Sequence, residues 1–279
     1  MQKTTQYKEL IQQASDYYKS NPPECQNIPI KDQTMTLNWC PGLENQINLW
    51  TYWQGNGNLD TAEILVVGKD FGNCEKDGKL VPFYHDCINS DANDAEKISN
   101  QYIKEILANK NNTTDNNLIE LFSILSQSSD SDYEADKPNP RLFFTNLCLG
   151  YRDKDKLTGG DLTKIYNHDV QYLSKLISII EPKLVILLGQ DVSLSVFEAL
   201  GNTSEPTARH LIKMIKDNFN EVLDSGKNYL NIKYKENSVR AYAVSHAGHF
   251  GSRVNRNGGF ERVKEDWRLI GLAMDKVIL

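Results

Sequence analysis

Residues 183–189 read KLVILLG, and this short stretch decides the fold. Its continuous apolar run is typical of a strand buried on both faces, and a glycine follows the run. Three further runs resemble it, namely AEILVVG at 62–68, RLFFTN at 141–146 and VRAYAVSH at 239–246. The last run alternates more than the others. We therefore predict four strands of one sheet.

Helical patterns separate these runs along the chain. They lie at about 94–110, 116–127, 161–181, 190–200, 206–224 and 257–277, the last with Asn257 as its cap. An amphipathic helix, TQYKELIQQASDYYKS, opens the chain and ends at NPP. This alternation predicts an α/β fold, a three-layer sandwich with a central four-stranded, mainly parallel sheet flanked by helices. A short hairpin with its turn at ENS (236–238) fits before the last run.

Composition and charge restrict the class of protein. The 279 residues are 39% hydrophobic and 24% charged, as in an ordinary globular chain, and we expect a single domain over 1–279. Within it, residues 1–60 would form a helical and irregular extension packed on the rest. Five scattered cysteines and the lack of an apolar leader favour a reducing, cytoplasmic location, and no run approaches a membrane span. A formal charge of -6 argues against a general nucleic-acid binder but allows a local basic groove.

Polar residues and glycines follow each predicted strand. Asp70 comes two residues after the first run, Asn146 ends the second, and His246 ends the fourth. Ligands of open parallel sheets bind outside the carboxyl ends of the strands. We therefore expect a carboxylate, an amide and an imidazole to converge in one pocket.

An ordered set of motifs carries a family resemblance over roughly residues 60–270. The segments are GKDFG (68–72), FFTNLCLGYR (143–152), IIEPKLVILLGQ (179–190) and SHAGHFGSR (245–253). Together they resemble the uracil-DNA glycosylase superfamily, in which a Gly-Gln-Asp-Pro-Tyr or Gly-Glu-Ala-Pro-Gly motif comes first and a His-Pro-Ser turn comes last. Phe71 stands in place of the family's proline, and Ala247-Gly248 replaces Pro-Ser. The close cysteine pair of the iron–sulfur branch is missing from the sequence.

The resemblance implies an enzyme of DNA repair that hydrolyses the N-glycosidic bond of uracil or a related damaged base. Positive charge builds on the sugar and negative charge on the departing base, and an enzyme gains by stabilising both. Asp70 would stabilise the sugar cation and orient water. His246, as a neutral imidazole, would donate a hydrogen bond to the base oxygen, and Asn146 would recognise the edge of the extruded base.

Further residues would hold the substrate and the DNA. The resemblance implies contacts to the base from Gly68, Phe71 and Phe83, the two aromatic rings being candidates for stacking, with Tyr84 as a weaker one. Lys69, Arg152, His249 and Arg253 would contact DNA, and Arg256 and Lys154 could reach phosphates as well. The expected partner is single-stranded DNA or a mismatched duplex, bound by a monomer without a cofactor.

Other interpretations remain open at this stage. His246 and His249 are spaced as two zinc ligands can be, but no third ligand or Cys-x-x-Cys pair accompanies them, so we predict no metal. Asp70 and Asn146 could serve only to close turns after their strands. The altered motifs also fit a catalytically altered relative that binds a nucleotide, a nucleobase or a protein partner.

Overall fold

The computed structural model has an α/β architecture in which helices flank one five-stranded, mostly parallel sheet. It describes residues 2–20, 28–30, 33–35, 37–38, 58–69, 75–76, 79–80, 108, 113–137, 139–148, 151–152 and 163–274. The strands are β1 (Ile64–Gly68), β2 (Leu142–Asn146), β3 (Leu184–Leu188), β4 (Tyr229–Tyr234) and β5 (Asn237–Val244). They lie in the order β4-β5-β3-β1-β2, and only the β4–β5 pair is antiparallel.

Seven longer helices surround the sheet within the described residues. They are α1 (Lys3–Ser20), α2 (Thr113–Ser129), α3 (Thr163–Ile180), α4 (Gln190–Leu200), α5 (Pro206–Asp217), α6 (Phe219–Asp224) and α7 (Gly259–Met274). A helical turn at Asn58–Thr61 and a π-helical turn at Phe250–Val254 are shorter. Short strand pairs join Ile28–Ile30 to Gln33–Met35, Leu37–Asn38 to Tyr151–Arg152, and Glu75–Lys76 to Lys79–Leu80.

The predicted sheet is one strand short. The four predicted strands all form, within two residues of their expected ends, but β4 adds an antiparallel fifth at one edge. The hairpin turn lies at Lys235 and Glu236, one residue before the predicted position. Lys235 has a φ of 48°, the left-handed conformation that tight hairpin turns use.

Two predicted helix features are wrong in detail. The helix expected over 206–224 is interrupted at Asn218, whose side chain accepts a hydrogen bond from the Glu221 N–H and starts α6. Asn257 does not cap the last helix, because α7 begins at Gly259 and the two preceding residues form a turn. The helix expected at 94–110 lies outside the described residues apart from residue 108.

Alternating strand residues divide the core into two apolar clusters, one on each face of the sheet. Val67, Leu187 and Ala243 belong to the cluster that α1, α3 and α4 cover. Their neighbours, such as Val66 and Val244, pack with residues of α2 and α7. Because helices cover both faces, the ends of the strands are the expected place for a ligand, and the carboxyl ends of β1, β2, β3 and β5 lie at one edge.

The helix that opens the predicted extension packs on the rest of the chain. Tyr7 and Ala14 of α1 are buried in the first cluster, and the Tyr7 ring meets Phe143 at 6.1 Å. The Lys3 ammonium donates to the Ile180 carbonyl at 2.8 Å. This part of the extension therefore contributes to the core.

Candidate functional site

Two polar residues flank two glycines at the carboxyl edge of the sheet. Asn146 ends β2 and His246 follows β5, whereas Gly68 ends β1 and Gly189 follows β3. Since β3 and β1 lie between β5 and β2, about 14 Å separates the two outer backbones at this edge. Strand alternation places Asn146 on the face of the sheet that α2 and α7 cover. The central strand ends thus present backbone between two polar side chains.

Gly68 and Asn146 fit each other closely. They are direct partners in the β1–β2 register, and a Cβ added at Gly68 would overlap the Asn146 Oδ1. Only glycine therefore lets the amide lie across the end of β1. The Asn146 side chain is half-buried and makes no hydrogen bond to any other residue in the described part of the chain.

The local structure selects one neutral form of His246. Its Nδ1 accepts a hydrogen bond from the Gly248 backbone N–H at 2.9 Å. A ring nitrogen that accepts a hydrogen bond carries no proton, so the neutral ring is protonated on Nε2. The imidazole is half-buried, and Gly248 in turn lies beside Thr114 at the start of α2. His246 therefore has the form of a neutral hydrogen-bond donor through Nε2.

Buried hydrogen bonds fix the turn that follows His246. The Asn117 side-chain amide donates to the Ala247 carbonyl at 2.6 Å and to Ser252 Oγ at 3.2 Å. Ser252 Oγ donates to the Gly248 carbonyl at 2.9 Å. A Cβ added at Gly251 would overlap the His246 carbonyl oxygen and lie 2.7 Å from the His246 Cβ. The turn is thus closely packed and holds the imidazole in place.

Arg256 stabilises the end of the same turn. Only 2% of it is exposed, and it donates to Asp266 through Nε at 2.8 Å and to Asp224 through Nη2 at 2.9 Å. Burial raises the pKa of Asp266, and the hydrogen bonds from Arg256 partly offset that effect. The predicted phosphate contact by Arg256 is wrong, because these two carboxylates already satisfy its charge inside the protein.

The outer surface of the turn carries apolar and cationic side chains. Phe250 is 72% exposed and Val254 is 58% exposed, in a molecule whose other apolar side chains are mostly buried across the described residues. His249 is exposed beside the Phe250 ring. Arg253 is also exposed, and its guanidinium lies 5.8 Å from the Phe260 ring without an ion pair to any described residue. Sequence reasoning overlooked Phe250 and Val254, although two apolar residues within a polar, glycine-rich turn are the available signal.

The remaining residues that were predicted to contact the base or the DNA differ in where the structure places them. Lys69 lies beside the site, but its Nζ is 2.9 Å from the Asp191 carboxylate in the first turn of α4. The backbone of Arg152 pairs with Leu37, and its side chain is outside the described residues. Asp70, Phe71 and Phe83, together with Tyr84 and Lys154, also lie outside them. Their roles stay predictions.

Neither a group of metal-binding side chains nor a similar known protein adds a functional assignment to this site. No group of three or more His, Cys, Asp or Glu residues could hold a metal ion within the described ranges. Cys148, the one described cysteine, is buried. In the described part of the chain, no helix has the length and apolar character needed to cross a membrane. The sequence matches no protein-family model and no curated protein.

Proposed function

We propose that the chain is a DNA base-excision glycosylase that hydrolyses the N-glycosidic bond of uracil or a related damaged base. One observation carries the proposal: Asn146 and His246 flank the glycine-lined ends of β1 and β3 at the ligand-binding edge of the sheet. The order of the motifs along the chain supports it further. The three-layer arrangement of the resembling family, a cytoplasmic location and a monomeric state belong to the same proposal.

The chemistry follows from the donors at this edge. When the glycosidic bond breaks, its electron pair leaves with the base, whose carbonyl oxygen becomes more negative. The His246 Nε2–H donates to that oxygen, while the Asn146 amide pairs with the edge of the base. Water adds hydroxide to the sugar carbon and returns its proton to the base. Asp70, two residues after Gly68, is the proposed carboxylate that orients this water.

The exposed surface of the His246 turn provides the contact to DNA. Extrusion of a base leaves a gap in the stack, and an exposed apolar side chain beside the pocket can fill it. Phe250 has that exposure, four residues after His246. Arg253 and His249 lie on the same turn, where they can contact phosphates. Lys69 and Arg152 are proposed to contribute on the side of β1 and β2.

The test measures uracil release from a single-stranded oligonucleotide and from a duplex with a G·U mismatch. His246→Ala is expected to slow release by about 10²–10³-fold, the usual loss of a donor to a developing oxyanion. Asn146→Ala is expected to slow it by about 10–100-fold, as for a lost bidentate contact to a base. His210→Ala and Asn231→Ala, which change exposed residues elsewhere, are the matched controls.

Two outcomes would overturn the enzymatic proposal. One is the absence of release by the native protein at high concentration on both substrates. The other is release that His246→Ala and Asn146→Ala leave at the rate of their controls, since the activity would then arise elsewhere. Phe250→Ala adds a separate arm, because loss of the inserted ring should slow release from the duplex more than from the single strand.

A second candidate function is the binding of a free nucleobase or nucleotide without hydrolysis. It is favoured by the pairing of Lys69 with Asp191 and by the burial of Arg256, which reduce the free positive charge near the site. Calorimetry with uracil and uridine monophosphate distinguishes the two. Binding that His246→Ala weakens, without any release from DNA, would support this second function.

A further inference from the structure

A cavity lies away from the candidate site, between α7 and the β4–β5 edge of the sheet. Its volume is about 130 Å³, and no residue of the Asn146–His246 edge lines it. Its lining combines apolar side chains, namely Leu223, Leu269, Ile270 and Ala273, with polar ones, chiefly Tyr229 and Arg240. Tyr242, four residues before His246, also lines it and places it about 13 Å along the chain from the His246 backbone.

Arg240 is the unusual group in this cavity. Its guanidinium carbon lies 4.7 Å from the centre of the Tyr229 ring, so the ring orients the cation. Its Nε is buried and has no hydrogen-bond partner, and the described residues offer the side chain no ion pair. A buried donor without a partner is unfavourable, and a ligand that accepts from it would remove that cost.

The nearest acid does not neutralise Arg240. Asp266 lines the cavity as well, but both of its oxygens accept hydrogen bonds from Arg256, at 2.8 and 2.9 Å. Asp224 is bound by Arg256 too, and Arg262 approaches both acids at 3.3 and 3.7 Å. Two arginines thus balance two aspartates. No carboxylate of the cavity therefore neutralises the positive charge of Arg240, and this charge favours the binding of an anion.

We propose that this cavity binds a small aromatic carboxylate. An engineered protein cavity of about 150 Å³ accommodates benzene, so a single six-membered ring suits the space found here. The ring would pack against Leu269, Ile270 and Ala273, and the carboxylate would accept hydrogen bonds from Arg240. A planar carboxylate matches the fork of a guanidinium, whereas the apolar wall offers nothing to a fully hydrated inorganic anion.

Benzoate is the probe, titrated into the full chain and followed by amide NMR shifts and by the melting temperature. We expect saturable shifts of residues in α7 and β5 and a rise in the melting temperature. Benzyl alcohol, which has the ring without the charge, should bind about tenfold or more weakly. Arg240→Gln should weaken benzoate binding by a similar factor, whereas Arg209→Gln, at an exposed arginine of α5, should not change it.

Ala273→Leu keeps Arg240 but fills the cavity, and it should abolish binding in a protein whose circular dichroism is native. This variant keeps the proposal testable if Arg240→Gln fails to fold. Absence of a benzoate response would overturn the proposal, as would unchanged binding by Ala273→Leu or equal binding of inorganic phosphate. None of these readouts involves uracil release, so this inference and the proposed function succeed or fail separately.

Discussion

The two edges of the sheet treat their polar groups in opposite ways. At the amino edge, the Glu63 carboxylate accepts from Arg141 at 2.7 Å and from the Tyr133 hydroxyl at 2.7 Å, and Lys183 lies 3.2 Å away. At the carboxyl edge, the Asn146 amide has no hydrogen-bond partner within the described chain and lies across a glycine. The Glu63 carboxylate is thus satisfied within the protein, whereas the Asn146 amide has no such partner among the described residues.

The pKa of Glu63 shows how strongly its hydrogen-bond partners stabilise the charged carboxylate. Burial alone would raise the pKa of its carboxyl, but hydrogen bonds from Arg141, Tyr133 and Lys183 outweigh burial and lower the pKa from 4.5 to about 2. Polar groups with complete sets of partners hold loops together. Replacing a half-exposed polar side chain that has no partner should change the free energy of unfolding little, and such side chains are the ones expected to matter for binding.

The largest stability effect is expected where the carboxyl edge is itself held by buried charge. Arg256→Met leaves Asp266 buried without its main partner and should lower the free energy of unfolding by about 3–5 kcal/mol. Urea unfolding measures the change. The exposed neighbour variant Arg253→Met is the control and should differ from native by no more than about 0.5 kcal/mol. Equal effects of the two would refute the structural role of Arg256.

Asn117 should give the next largest effect. Asn117→Ala leaves the buried Ala247 carbonyl without its side-chain donor and should cost about 1–3 kcal/mol of stability. It should also slow uracil release, because the turn that carries His246 loosens. Asn231→Ala, on the exposed side of β4, is the control for both measurements. A variant as stable as that control would show that the turn does not depend on Asn117.

The amino edge should make the free energy of unfolding depend on pH through Glu63. The pKa of Glu63 is lower in the folded protein than in the unfolded chain, so its stabilising contribution is present above pH 4.5 and is lost as the pH falls towards 2. Because the carboxylate is partly solvated, we expect a loss of about 1–2 kcal/mol over this range. Glu63→Gln should remove that part of the slope, and Glu198→Gln, at an exposed position, should keep it. Identical slopes for the two variants would contradict the role of Glu63.

The smallest stability effect and the clearest functional one are expected together at Asn146. Asn146→Ala should change the free energy of unfolding by less than about 0.5 kcal/mol, because no hydrogen bond within the described residues is lost. Gly68→Ala should displace the amide, since its new methyl group would overlap Oδ1. Both variants should slow uracil release while their melting temperatures stay near native. A large destabilisation by Asn146→Ala would assign this residue to structure and remove the contrast between the edges.

The four parallel strands could be predicted because their signal is local. A buried strand such as β3 is a short apolar run with a glycine at its end, and neighbouring chain segments do not alter that pattern. The fifth strand, β4, alternates apolar and polar residues and fits the predicted hairpin, but alternation alone does not show that it joins the edge of this sheet, because pairing depends on the turn and on the neighbouring strand. The break at Asn218 depends on one side-chain hydrogen bond within an otherwise continuous helical pattern.

The sequence by itself determined which polar residues stand at the strand ends, Asn146 and His246 among them, because apolar runs show where strands stop. Only the tertiary structure decided what those residues and their neighbours do. Arg256 and Arg253 look alike in the sequence, yet one is buried against Asp224 and Asp266 and the other is exposed. The difference arises because the partners of Arg256 come from separate helices, α6 and α7. Their distance in space is set by packing of the whole chain, which no local pattern records.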